Sequence, residues 1–435
     1  MNTNLLKTAS LGIQHVLAMY AGAVIVPIIV GTSLGLTAEQ LTYLVSIDIF
    51  MCGVATILQV WKNKFFGIGL PVVLGCTFTA VGPMIAIGGE YGISAIYGSI
   101  LVSGLVVVLI STFFGKLARF FPPVVTGSVV TIIGITLIPV AMNNMAGGQG
   151  NENFGAISNI SLAFGTLLFI ILLYRFGKGF VRAIAILIGL LSGTLIGFFM
   201  GMVDFTPVLK ASWLHLPQVF YFGMPSFHAS AILTMTIVAV ISLVESSGVY
   251  FALGDITNRK LTEKDLSNGY RAEGLAIILG GFFNAFSYTT YSQNVGLLQL
   301  SGVKRNNVIY TAAGFLILIG FVPKIGAFTT VIPTPVLGGA MVAMFGMVIA
   351  SGIKMLSKID FASQENLLIV ACSIGMGLGV TTVPAIFDHL PKGIHILTSN
   401  GIVIGSLTAI ILNIVFHLAP SRTKKMHAVE EQHAS

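Results

Sequence analysis

The chain has 435 residues, of which 55% are hydrophobic and only 9% are charged, and its mean hydropathy is +0.95. Soluble domains carry roughly 25% charged residues, so this composition excludes a soluble globular protein and indicates an all-α polytopic protein in a lipid bilayer. The net charge of +7 does not indicate a nucleic-acid partner, because the basic residues lie singly in loops rather than on one face.

The apolar segments follow one another along almost the whole chain. About 20 apolar residues cross a bilayer as a helix, and the sequence predicts fourteen segments, of which the ninth and tenth are short and polar. They lie near residues 12–31, 41–60, 68–88, 92–114, 123–142, 159–174, 181–202, 229–253, 274–286, 288–300, 307–323, 334–352, 364–381 and 399–417. The first segment is too long for the apolar core of a signal peptide, so we expect a membrane helix there and no cleavable leader.

This pattern predicts a single transmembrane unit over residues 1–420, with no appended soluble domain, followed by a polar tail at 421–435. The unit divides into halves of about 1–215 and 216–420. Cys52, Cys76 and Cys372 lie in apolar stretches with no metal-ligand spacing, so we expect three buried free thiols.

The distribution of basic residues tests the segment count and fixes an orientation. When the loops alternate from an inner N-terminus, only Lys210, Lys324 and Lys392 of the 22 lysines and arginines fall outside. Cytoplasmic loops carry the excess of positive charge. Both termini, including Lys7 and the distal Arg422, are therefore predicted to be cytoplasmic.

Two proline-led segments suggest an internal repeat. Residues 123–137 read PVVTGSVVTIIGITL and residues 335–349 read PVLGGAMVAMFGMVI. Chance among Gly- and Val-rich helices is the alternative, but residues 74–78 and 288–292 correspond at nearly the same offset. Two halves of seven segments must run in opposite senses across the membrane, which gives an inverted repeat typical of secondary transporters.

The interrupted segments in matching positions of such halves indicate a binding site. Segment 3 is broken by Pro71, Gly75 and Pro83, and segment 10 is short and polar. Backbone of this kind cannot face lipid, because each unsatisfied polar group costs several kcal/mol there. The run Thr289–Tyr291 favours a short extended stretch before a half-helix whose free N–H groups point at a ligand.

Three acids lie inside predicted segments, where a carboxylate is a functional candidate. Glu245 lies in the middle of segment 8, and its alternative role is that of a protonated side chain bonded to a neighbouring helix. Glu273 is predicted at the cytoplasmic mouth of segment 9, where it could instead pair with Arg271. For Asp48 a hydrogen bond between packed helices is the favoured interpretation.

Gln14 and His15 open segment 1. A lone histidine at a helix start is usually a structural hydrogen-bonding group, although His15 could also brace the site. The sequence contains no metal cluster, nucleophile–base pair or phosphate loop, so neither an enzyme nor a bound metal or other cofactor is predicted.

Residues 292–302 read SQNVGLLQLSG. They resemble the signature of the nucleobase–ascorbate transporter family, in which Gln, Glu or Pro precedes Asn, any residue, Gly, four residues, Thr, and then Arg, Lys or Gly. Gln293, Asn294, Gly296 and Gly302 match, and Ser301 replaces the usual Thr but keeps its hydroxyl.

Three further features of this sequence resemble features of the family and occur in the same order along the chain. The Gln14–His15 pair, Glu245 and the Thr77–Phe78 pair are each similar to a family counterpart, so the resemblance covers essentially the whole chain. It implies fourteen segments in two inverted sevens, with a core domain that holds substrate and a gate domain that includes segments 5 and 12. It also implies proton symport and a homodimer in a bacterial plasma membrane.

The first motif residue bears on the substrate. Family members with Glu there tend to take uracil, and members with Gln tend to take xanthine or uric acid. A carboxamide donates and accepts hydrogen bonds, whereas an ionised carboxylate only accepts, so Gln293 favours xanthine import. The resemblance assigns substrate binding to Glu245, Gln293, Phe78, Thr77, Ser292 and Asn294, and proton coupling or support of the site to Glu245, Glu273, His15 and Gln14.

One departure and three alternatives remain. Val249 stands where many relatives carry Asp or His, so coupling must depend on Glu245, with Glu273 or His15 as further candidates. A uric acid permease would have the same site. An anion exchanger would need a basic site, but no segment interior holds Lys or Arg, and a membrane enzyme would need catalytic groups that are not found.

Overall fold

The computed structural model describes residues 2–117 and 121–418. The predicted tail at 421–435 and the basic residues Arg119, Arg422, Lys424 and Lys425 lie outside these residues. Within them the chain is mostly helical.

The first half of the chain contains nine α-helices, one 3-10 turn and one short strand among the described residues. These are α1 (Asn2–Ser33), α2 (Ala38–Val60), β1 (Leu74–Cys76), a 3-10 turn (Phe78–Ala80), α3 (Val81–Tyr91), α4 (Ile93–Leu117), α5 (Pro123–Met145), α6 (Ile157–Phe176), α7 (Phe180–Ala183), α8 (Ala185–Phe199) and α9 (Thr206–Lys210).

The second half repeats the mixture of long helices with one short strand. Its elements are α10 (Ala229–Thr257), α11 (Glu263–Phe283), β2 (Tyr288–Thr290), α12 (Ser292–Ser301), α13 (Asn306–Gly320), α14 (Pro323–Thr330), α15 (Thr334–Leu356), α16 (Gln364–Thr382), a 3-10 turn (Pro384–Phe387), α17 (Lys392–Thr398), α18 (Gly401–Asn413) and a π-helical turn (Ile414–Leu418).

Eight helices in the described part of the chain are long and apolar enough to cross a membrane. They are α1, α2, α4, α5, α6, α10, α15 and α16. A ninth span is formed if α13 and α14, which meet at an 80° bend, are taken together. Other predicted segments are occupied by shorter elements, so the helices alone do not establish the predicted count of fourteen.

Several spans expose apolar side chains on their outer faces. On α6, Phe164 and Leu168 are 54% and 56% exposed, and on α16 Leu368 is 47% exposed. Apolar surface of this kind is stable in contact with lipid tails or a partner's helix, and the intrahelical hydrogen bonds satisfy the backbone there. These faces support a membrane protein with several spans.

The two proline-led helices α5 and α15 pack closely against each other. A Cβ added at Gly134 of α5 would come within 2.5 Å of a side-chain carbon of Ile349 on α15. Small residues permit this approach of two backbones, which is how helices associate in lipid. The similarity between these two segments therefore corresponds to a direct contact.

The structure corrects three expectations. Helix α11 begins at Glu263, well before the predicted start at 274, because its polar first turns are capped by Thr262 and are largely buried in protein. Cys372 is exposed on α16, whereas Cys52 and Cys76 are buried as predicted. The segment expected at 181–202 is divided between α7 and α8.

Candidate functional site

Two short strands pair at the centre of the candidate site. β1 and β2 pair antiparallel, with Gly75 opposite Thr289, and all six strand residues are buried. The pairing continues beyond the strands, because Thr77 N donates to Ser287 O at 2.9 Å and Tyr291 N donates to Val73 O at 3.0 Å. These bonds satisfy buried backbone groups that no lipid could satisfy.

The close approach of the strands requires glycine at position 75. A Cβ there would lie 2.4 Å from a ring carbon of Tyr291, whose hydroxyl donates to Cys76 O at 3.0 Å. The ring therefore covers the Gly75 backbone and is held there by its own hydrogen bond. The break predicted in segment 3 is thus a strand that can pack against Tyr291 only without a side chain.

Asp48 of α2 supports the second strand. Its side chain is fully buried, and Oδ1 accepts hydrogen bonds from Phe286 N at 2.8 Å and from the Tyr288 hydroxyl at 3.2 Å. Asp48 therefore holds the start of β2 and joins packed elements, as the favoured sequence interpretation has it.

A cavity of about 430 Å³ lies between α10, α12 and α15. Glu245 and Val249 line it from α10, and Ser292 and Gln293 line it from the first turn of α12. Lys354 of α15 also lines it. A neighbouring cavity of about 240 Å³ shares part of the α12 wall, including Gln293. The structure therefore brings three of the predicted substrate residues into one space.

The Glu245 carboxyl has little protein contact in this cavity. The Thr79 hydroxyl lies 3.5 Å from Glu245 Oε2, which is a long hydrogen bond. The side chain is only partly buried and lines the cavity. A carboxyl group in this setting has capacity to bind a ligand.

Six of the nine predicted site residues do not line this cavity. Thr77 is buried and its hydroxyl lies 3.3 Å from Ser242 Oγ. Phe78 is 7% exposed, and its ring packs edge-on against Phe345 of α15 at 5.6 Å. Phe78 thus contacts the helix that carries the second proline-led segment rather than an open space.

Asn294 and His15 contact each other instead of the cavity. Asn294 Nδ2 lies 3.1 Å from His15 Nδ1 and donates to His15 O at 3.1 Å, and both side chains are buried. This pair joins α12 to α1, as the bracing role of His15 requires. Gln14 is partly exposed and lines neither cavity that contains Gln293.

Glu273 is fully buried in the middle of α11 rather than at an interface. Its Oε2 accepts from Ser246 Oγ at 3.0 Å, and its Oε1 accepts from the Tyr250 hydroxyl. Arg271 points elsewhere and donates to Phe65 O at 2.6 Å and to Thr112 Oγ1 at 2.9 Å. The alternative interpretation, a pair between Glu273 and Arg271, is therefore wrong.

Sequence reasoning missed two residues of this cluster. Gln59 is fully buried and its amide donates to the Tyr250 hydroxyl. A glutamine in the last, mainly apolar turns of α2 was the available signal for Gln59, since a buried amide needs partners. Tyr250 carried no such signal, because tyrosine is common in membrane helices.

A larger cavity lies elsewhere, near the first turns of α2 and α9. It measures about 530 Å³ and is lined by Tyr43, Asp204 and His215, among others. None of the predicted site residues lines it. The candidate site is therefore the space beside β2, where the titratable and amide groups converge.

Comparison with known proteins shows the family to which the chain belongs. The model of the Permease family, which comprises nucleobase–ascorbate transporters, matches residues 6–386. A protein named xanthine permease from Bacillus subtilis (strain 168) is 70% identical over 420 residues, which cover 97% of this chain and 96% of the relative. Uric acid permease PucK from the same organism is 65% identical over 413 residues, covering 95% and 96%.

Solved structures show the same fold at low sequence identity. The transmembrane domain of the cyanobacterial bicarbonate transporter BicA matches with a TM-score of 0.61 and 16% identity, covering 88% of this chain and 97% of that domain. At this identity the match carries information on the fold alone.

Proposed function

This chain belongs to the Permease family of nucleobase–ascorbate transporters, whose members are transporters rather than enzymes, and on that premise we propose that it imports xanthine by proton symport. The observation that carries the proposal is the cavity in which Glu245, Ser292 and Gln293 meet. Its volume of about 430 Å³ is sufficient for a planar bicyclic base and several waters.

Hydrogen-bond chemistry supports an oxopurine as the ligand. The Gln293 amide can donate to a ring carbonyl and accept from a ring N–H, and the Glu245 carboxyl can accept from a second ring N–H. Both groups line the same cavity, from α10 and α12, without strong partners of their own among the described residues. The relative named xanthine permease, at 70% identity, supports xanthine in particular.

Uric acid is the second candidate. The relative named uric acid permease is 65% identical over almost the whole chain. Relatives named for either substrate are therefore similar to this chain over almost its whole length. Uric acid differs from xanthine by one further ring carbonyl, which the Gln293 amide could also address. An anion exchanger with this architecture is not favoured, because the chain belongs to the permease family.

The proposed cycle uses Glu245 as the proton-binding group next to the substrate. Glu245 takes a proton from the outside, shares a hydrogen bond with xanthine, and releases both after the site has turned inward. Glu273, His15 and Asn294 support this site, and Phe78 reaches the base only when the contact with Phe345 opens. The moving parts are a core domain and a gate domain, with α5 and α15 in the gate.

The wider organisation is part of the same proposal. We infer fourteen segments in two inverted sevens, both termini in the cytoplasm, and a homodimer in the bacterial plasma membrane. The pairing of β1 with β2, each followed by a short helix, supports the inverted repeat.

Radiolabelled uptake into proteoliposomes tests the proposal. The purified chain is reconstituted, an inward proton gradient is imposed, and xanthine uptake is challenged with unlabelled uric acid, uracil, guanine and hypoxanthine. Accumulation that collapses with a protonophore, and that xanthine inhibits best, is the expected result. Absence of xanthine uptake would refute the substrate, and uptake that ignores the gradient would refute the coupling ion.

A further inference from the structure

The buried carboxyl of Glu273 is the end point of two chains of hydrogen-bond donors. On one side, Gln59 Nε2 donates to the Tyr250 hydroxyl, which donates to Glu273 Oε1. On the other side, Thr290 N, at 3.4 Å, donates to Ser246 Oγ, which donates to Glu273 Oε2 at 3.0 Å. Both chains point toward the carboxyl and satisfy both of its oxygens.

These bonds suit an ionised Glu273 without a cationic partner. Ionised carboxylates only accept hydrogen bonds, and here each oxygen has a donor. Among the described residues, the titratable groups facing it are Glu245 and Tyr250 of α10 and Tyr270 of its own helix. The neighbouring helix α4 presents Val107 and Val108 at the level of Gly274.

A protonated Glu273 needs an acceptor, and only the chain through Ser246 can supply it. Tyr250 can continue to donate to Oε1, because the Gln59 amide fixes its hydroxyl in that direction. The proton then belongs on Oε2, where it is donated to Ser246 Oγ. The Ser246 hydroxyl then turns its own hydrogen toward Thr289 Oγ1, which lies 3.1 Å away. Because Ser246 Oγ has only two lone pairs, it gives up one of the two hydrogen bonds that it accepts from Thr290.

The change in hydrogen bonding at Ser246 extends to β2, the strand that precedes the cavity-lining residues of α12. Ser246 contacts Thr289 and, at 3.2 Å, Thr290 Oγ1, and both belong to β2. The strand leads into Ser292 and Gln293 of α12, which line the cavity. Protonation of Glu273 therefore changes the hydrogen bonds of β2 without movement of the backbone.

We propose that Tyr250, fixed by Gln59, is a positioning residue that directs the Glu273 proton to the oxygen facing Ser246, and that Ser246 transmits the protonation state to the substrate-bearing strand. The inference rests on the proposed xanthine symport and names a further regulation of that same site. The hydroxyl of Tyr250, the residue after Val249, contacts the buried acid.

Tyr250→Phe tests the positioning role. Loss of the hydroxyl removes a donor from the charged form of Glu273, so the carboxyl keeps its proton to higher pH. The alkaline limb of xanthine uptake is expected to move upward by about one pH unit, which corresponds to one lost hydrogen bond to a charged group. KM at acidic pH, where Glu273 is protonated in both proteins, is expected to stay unchanged.

Tyr270→Phe is the matched control. Tyr270 is also buried next to Tyr250, but its hydroxyl contacts Ser247 Oγ at 2.6 Å instead of a carboxyl. It is expected to leave the pH profile of uptake in place. Equal shifts in the two phenylalanine variants, or no shift in Tyr250→Phe, would overturn the positioning role.

Ser246→Ala tests the transmission step. It removes the second donor and the contact with β2, so it is expected to shift the alkaline limb and also to raise KM severalfold. A shift in pH profile with an unchanged KM would overturn transmission to the strand while leaving Tyr250 as a positioning residue.

Thermal unfolding and gel filtration of each variant identify a protein that has failed to fold. In that event Gln59→Met, which leaves the Tyr250–Glu273 contact in place, is expected to give a smaller shift in the same direction, and no shift would overturn the proposal. The wild-type protein separates the two hypotheses: if it neither binds nor accumulates xanthine, the proposed function fails, whereas a functional wild type with unshifted variants defeats only this inference.

Discussion

Replacement of Glu245 by glutamine separates substrate binding from proton coupling. The two side chains have the same size, and the one hydrogen bond of the Glu245 side chain among the described residues is that from the Thr79 hydroxyl at 3.5 Å, so little packing changes. Glutamine keeps an acceptor oxygen but loses the charge and the ability to take up a proton. At a pH where Glu245 is ionised, a hydrogen bond to its charge is worth about 1.5–3 kcal/mol, and the retained amide oxygen favours the lower value.

A loss of about 1.5 kcal/mol corresponds to a roughly tenfold increase in the Kd for xanthine. Titration calorimetry of the purified protein measures that change, and proteoliposomes measure whether a proton gradient still drives accumulation. We expect facilitated equilibration without accumulation in Glu245→Gln. Glu152→Gln, which alters an exposed residue outside the cavity, controls for reconstitution. Full gradient-driven accumulation by Glu245→Gln would refute the assignment of the proton to this residue.

Two further substitutions test the cavity wall and the strand pairing. Gln293→Glu replaces a group that donates and accepts hydrogen bonds with one that only accepts when ionised. We therefore expect the inhibition constant of xanthine in uptake assays to rise about tenfold, and an unchanged constant would contradict the role of the amide. Gly75→Ala places a Cβ 2.4 Å from the Tyr291 ring, so we expect a lower unfolding temperature and loss of uptake. Gly89→Ala is the control, because nothing lies within 4 Å of a Cβ there, and it should change neither quantity. Equal behaviour of the two variants would contradict the close approach of Gly75 to Tyr291.

The broken segments were predictable from the sequence because their polar backbone has few solutions in a membrane. Pro71, Gly75 and the polar run after Tyr288 each indicated an interruption, and the structure has a strand at both places. The pairing of β1 with β2 required a contact between residues more than 200 positions apart. Local propensity indicates an extended stretch, but it does not indicate the partner.

The start of α11 shows why hydropathy misplaced Glu273. Hydropathy windows measure how apolar a stretch of sequence is and so indicate contact with lipid. The polar first turns of α11 are instead buried in protein, with Ser267 and Asn268 both buried. The polar start of α11 therefore predicts a loop, which places Glu273 at the cytoplasmic mouth of segment 9 instead of in the protein interior. Cys372 is the opposite case, because an apolar sequence at α16 faces outward and leaves the thiol exposed.

The two carboxyl groups next to Ser246 have different surroundings, and this difference argues for separate roles. Glu245 lines a cavity and has one long hydrogen bond, so its protonation can respond directly to substrate. Glu273 has a donor on each oxygen and no access to the cavity, so its protonation can reach substrate only through Ser246 and β2. Because Ser246 follows Glu245 in α10 and contacts Glu273, a single residue connects the acid at the cavity with the buried acid. A chain that lacks a titratable residue at position 249 can in this way still carry two interacting acids at its site.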